Sequence, residues 1–64
     1  MKRFLISLDF ISSSKMPESF SVSEMVEEDS FLSFINVERH SNKYLSYRVN
    51  KSQVSSILIE EINK

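Results

Sequence analysis

Asn50-Lys51-Ser52-Gln53-Val54-Ser55-Ser56-Ile57-Leu58-Ile59-Glu60-Glu61-Ile62 is the stretch on which the reading of the fold turns. Taken with a period of 3.6, it is an amphipathic helix, because Val54, Ile57, Leu58 and Ile62 fall on one face. Its start carries helix signals as well. Asn50 can cap, Gln53 follows three residues on, and Val49 can staple onto Val54. The pattern therefore predicts a terminal helix whose apolar face packs on a sheet.

That sheet is sought upstream. Phe4, Ile6, Leu8 and Phe10 alternate with Arg3, Ser7 and Asp9, the period-two pattern of a half-buried strand from Lys2 to Ile11. Ser12-Ser13-Ser14-Lys15-Met16-Pro17-Glu18 lacks periodicity and reads as a loop. Ser21 with Glu24 forms a capping box, Phe20 can staple onto Met25, and Val22, Met25 and Val26 share a face, which predicts a short helix ending near Asp29 or Ser30. Phe20 and Val22 could instead begin a strand.

From Phe31 to Val49 the residues suggest a hairpin. A two-residue turn at Ser41-Asn42 would oppose Val37 to Ser46 and Ile35 to Arg48, mixing apolar with polar. A loop of three or five residues keeps each face uniform, with Val37 opposite Tyr47, Ile35 opposite Val49 and Arg39 opposite Leu45. In a three-residue loop Asn42 is the best left-handed residue of a chain without glycine. The order strand, short helix, strand, strand, helix gives an α+β fold: one domain, 1–64, with a small three-stranded sheet and helices packed on one face. The stretch from Ile35-Asn36-Val37-Glu38-Arg39 through Val54-Ser55-Ser56-Ile57-Leu58 resembles, in its order of elements, the DinI-like modulators of recombinase filaments. The first helix is shorter than that family's and no motif matches. The resemblance implies a small non-enzymatic modulator.

Length and composition limit the functions open to the chain. Sixty-four residues bury only about 60% of the surface that the unfolded chain exposes. With no cysteine and His40 as the single histidine, neither a disulfide nor a Cys/His zinc site can staple the fold. Oligomerisation or a partner is the remaining remedy. Lys2 and Arg3 precede a short apolar run, but Asp9 interrupts it and no cleavage site follows, so a secretion signal is not expected. No stretch reaches transmembrane length, and a cytoplasmic setting with no membrane partner is the default expectation. The chain has no Gly, Ala, Thr, Cys or Trp and fourteen serines, which points to an AT-rich source such as a phage or another mobile element.

Charge is unevenly placed although the net charge is only −1. The acidic patch Glu24, Glu27, Glu28 and Asp29 and the basic patch Arg39, His40, Lys43, Arg48 and Lys51 predict two faces of opposite sign. The acidic run lacks the spacing and glycine of a calcium loop, so no metal is expected. It is a solvated face or an imitation of nucleic-acid phosphate. Cations interleaved with Tyr44 and Tyr47 offer the opposite possibility, phosphate contact with base stacking. A serine triad can be spelled from the residues present, but phosphate loops and nucleophile turns rely on glycine, and no catalytic residue or cofactor is assigned.

By parity the back of the sheet should carry Leu5, Ile11, Leu32, Phe34 and Tyr44 beside Arg3, Asn36, Glu38 and Arg48. Aromatic, aliphatic and arginine residues together are the composition of interface anchors. Leu5, Leu32, Phe34, Tyr44 and Arg48 are therefore the expected protein-binding residues. The sequence reads as a small non-catalytic protein that modulates or inhibits a larger macromolecule, an anti-host or anti-defence factor, or that pairs with its own copy. The alternative is a nucleic-acid-binding regulator using the basic hairpin Arg39–Lys51.

Overall fold

A computed structural model describes residues 2–63. It is an all-β protein, so the α+β expectation is overturned. Six strands follow one another as β1 (Lys2–Phe10), β2 (Glu18–Val22), β3 (Glu24–Glu27), β4 (Phe31–Arg39), β5 (Asn42–Asn50) and β6 (Val54–Asn63). The only helical turn among the described residues is a single 3-10 turn, Lys51–Gln53. No helix is long and apolar enough to cross a membrane.

Both predicted helices are strands, for different physical reasons. In the first, Ser19-Phe20-Ser21-Val22-Ser23 alternates with period two, and it buries Phe20 and Val22 against β1. Ser21 caps nothing; its hydroxyl accepts from Arg3. In the second, Asn50 does cap, accepting from the Ser52 amide at 3.0 Å, but the turn it starts ends at Gln53. Val54, Ile57, Ile59 and Ile62 are β-branched residues, which lose side-chain freedom in a helix and suit a pleated sheet. β6 accordingly lies antiparallel on β1, with Leu8 opposite Ile57, Ser7 opposite Leu58 and Ile6 opposite Ile59. Leu58, expected inside, is 68% exposed.

All pairings are antiparallel, in the order β6-β1-β2-β4, with β3 and β5 on opposite edges of β4. β2 and β3 are two halves of one bent strand. Ser21 opposes Glu38, and Glu24 opposes Ile35 in the same register. The sheet must curl. β5 ends beside the start of β4, with Phe31 opposite Asn50, while β6 begins beside the end of β1, with Phe10 opposite Val54. Laid flat, those strands would stand about 19 Å apart across the sheet, whereas the link between Asn50 and Val54 spans about 14 Å at most. The 3-10 turn is tied to both halves, since the Ile11 amide donates to the Gln53 carbonyl and the Lys51 amide to Ser30.

Curling closes the sheet on one core of Ile6, Leu8, Phe10, Phe20, Val22, Leu32, Phe34, Val37 and Val49. The first strand behaves as its alternation predicts. The hairpin does not. Its turn is the two residues His40 and Ser41, so that Arg39 opposes Asn42, Val37 opposes Tyr44, Phe34 opposes Tyr47 and Leu32 opposes Val49. His40, not Asn42, takes the positive φ, 55°, as the first central residue of one type of two-residue hairpin turn.

Candidate functional site

The most unusual local geometry lies where β1, β2 and β4 meet. Asn36 sits inside β4 with φ 53°, a left-handed conformation that asparagine tolerates better than other residues with a Cβ. Its side-chain amide donates to Ser23 Oγ at 3.0 Å. Its carbonyl accepts from Arg3 Nη2 at 2.7 Å. Arg3 is, among the described residues, the one charged residue that is buried, 8% exposed, and it reaches across β2 to do this. On the way it donates to Ser21 Oγ at 3.2 Å and lies 3.7 Å from Glu38 Oε1. A buried guanidinium needs such partners, because an unpaired charge out of water is costly.

The turned residue also resets the alternation of β4. Leu32 and Phe34 point into the core, and one position after the expected Ile35 or Asn36 it is Val37 that is buried. The pairing with β5 keeps one register through the kink, from Ile35 with Ser46 to Val37 with Tyr44, so it is the face of the side chains that changes. Over this kink at Asn36 lies a groove of about 610 Å³, lined among others by Lys2, Arg3, Glu38, Lys43, Tyr44 and Leu45. Tyr44 is half-exposed, and Leu45 is 85% exposed. The groove thus combines cations, an aromatic ring and a fully accessible aliphatic side chain on a backbone fixed from beneath by Arg3.

The expected binding residues do not come together. Phe34 is fully buried and Leu32 is in the core with it, so neither belongs to a surface. Leu5 is half-buried on β1. Arg48 stacks over Phe31 at 5.2 Å on the far part of the hairpin. Of these only Tyr44 lies in the groove; sequence parity sets Arg3, Asn36 and Glu38 on the same face as Tyr44 without singling them out for binding, and it misplaces Leu45. The signal available for Asn36 was weak: an amide residue inside an apolar run of a chain without glycine.

The two charge patches are not separate faces, because much of one neutralises the other. Lys51 Nζ donates to Glu27 at 2.8 Å and holds that carboxyl below its ordinary value. Arg48 lies 3.8 Å from Glu28, which also accepts from Ser33. Glu24 and Asp29 are exposed. Arg39 pairs with Glu18 at 3.3 Å and covers the rings of Phe20 and Tyr47. Tyr47 donates to Glu18 at 2.7 Å, and burial first, then this bond, pushes its phenol above the ordinary 10.0. His40 is exposed at the turn, and Lys43 lines the groove. Among the described residues no group of three His, Asp or Glu side chains is placed to hold a metal ion. The chain matches no family model, no curated protein and no solved structure, and with no terminal helix the resemblance to the DinI-like modulators has nothing left to rest on.

Proposed function

We propose that this chain is a small non-catalytic binding protein that modulates or inhibits a larger macromolecule by docking a segment of a partner protein in the groove over Asn36. The observation that carries the reading is the exposure of Leu45 and Tyr44 beside Lys2 and Lys43. Large apolar groups rimmed by cations are the composition of interface anchors. A rigid floor adds to it, because less conformational freedom is lost when the partner docks. A cytoplasmic site of action and a phage or mobile-element origin belong to the same proposal.

Nucleic-acid binding through the hairpin is less well supported. Three of its five basic residues, Arg39, Arg48 and Lys51, already face carboxylates, and a phosphate contact must break each pair before gaining from counterion release. The experiment is affinity capture from the native host by the tagged protein and by its Leu45→Asp variant, with nuclease and added salt as further arms. A protein retained by the wild type through salt and nuclease, and lost by Leu45→Asp, is the expected result. Capture that nuclease abolishes would move the function to nucleic acid.

A further inference from the structure

We infer that the free edge of β6 is a self-recognition edge, through which two copies of the chain pair antiparallel about a two-fold axis at Leu58. This surface is separate from the groove, and the inference does not rest on the groove's function. β6 pairs with β1 alone, so the other edge of this ten-residue strand is open. An unprotected strand edge of that length is a template for another strand, and natural proteins guard such edges with lysine, proline or bulges. The described part of β6 carries no lysine or proline; its bulge at Ser55 and its carboxylates Glu60 and Glu61 stand on either side of residues 56–59, and between them it exposes Leu58 and Ile59 to solvent.

The sequence of the strand selects both the occupant and the register. A two-fold axis normal to the sheet opposes residues of the same parity, because both strands must keep their faces. With Leu58 on the axis, Leu58 meets Leu58, Ile57 meets Ile59 and Ser56 meets Glu60, and the bulge at Ser55 ends the regular pairing at that side. Within this regular stretch each apolar residue finds an apolar one, and Glu60 finds a hydroxyl. Moving the axis to Ile59 sets Leu58 against Glu60 and Ile57 against Glu61; moving it to Ile57 sets Leu58 against Ser56 and brings the bulged Ser55 into the pairing. An axis at Glu60 or Glu61 opposes like charges, which destabilises a cross-strand pair. A foreign strand would have to copy this pattern, whereas a second chain carries it already.

Cysteine scanning tests the register, since the chain has no cysteine of its own. Directly opposed strand residues have Cα atoms about 4.5–5.5 Å apart, inside the disulfide range of about 4.4–6.8 Å. Leu58→Cys should convert under mild oxidation to a covalent dimer, while Ser55→Cys and Ser46→Cys, the latter on the free edge of β5, should not. Sedimentation of the unmodified protein should show dimer rising with concentration, and Leu58→Glu, on a side chain exposed in the monomer, should remain folded by circular dichroism yet monomeric throughout. A wild type that stays monomeric at the highest concentration, or cross-linking through Ser46→Cys in place of Leu58→Cys, would overturn the inference.

Discussion

Asn36 shows how one residue redirects a strand. Its positive φ would cost another L-residue about 1–2 kcal/mol, and glycine would adopt it freely. Asn36→Val should therefore destabilise the fold by about that amount, while Asn36→Gly should be close to neutral in chemical denaturation, the lost Ser23 bond being offset by relief at φ. A drop for Asn36→Gly as large as for Asn36→Val would mean that the side chain, not the backbone angle, governs the kink. Tyr47 makes the second residue-scale case. Burial and the bond to Glu18 raise its phenol above 10.0, so the folded state favours the neutral form. The linked stability is fully present below the ordinary tyrosine range and is lost as pH rises through the elevated value. Stability measured from pH 9 upward should fall, and Tyr47→Phe should remove part of that fall. An unchanged profile in the variant would assign the alkaline loss to other groups.

At the scale of elements, the legible parts were those in which one period had no competitor. β1 alternates cleanly, and the strand-turn-strand character of residues 31–50 was readable too. Asn50 was rightly a cap, but a cap starts a helical turn without prolonging it. In Val54–Ile62 the helical period is the cleaner one, since a strand turns Ile57 and Ile59 to one face and Leu58 and Ile62 to the other, and only a bulge at Ser55 brings Val54 to the inner face; what decides is tertiary, because β1 offers an unpaired edge and β-branched residues fit it. The hairpin failed for another reason. Its register was inferred by assuming unbroken alternation, and the turned Asn36 breaks it, which moved Leu32 and Phe34 from a supposed outer face into the core. The same correction yields a prediction. Phe34→Ala should cost about 3–5 kcal/mol, whereas Leu58→Ala should change stability by no more than about 0.5 kcal/mol. Thermal melts of the two variants at concentrations low enough to keep the protein monomeric check this, and a large loss in Leu58→Ala would contradict the exposure of its side chain on β6.

For the molecule as a whole, the compensation of charge across the sheet explains why sequence blocks misled. Glu27 and Glu28 are distant in sequence from Lys51 and Arg48, yet the β3-β4-β5 order brings them together. The groove draws its residues from the start of β1, the kink of β4 and the outer strand β5, too scattered to form a motif, and its Lys2 pairs with Glu61 at 3.3 Å. Of the expected site only Tyr44 was legible, because accessibility here depends on curvature rather than on composition. The most direct test is amide hydrogen exchange of the protein alone and with the protein it captures from its host. Docking in the groove predicts new protection concentrated at Asn36–Glu38 and Lys43–Leu45, with β6 unchanged by the partner. Protection confined to β6 or to the serine loop, with the groove exchanging as in the free protein, would contradict it.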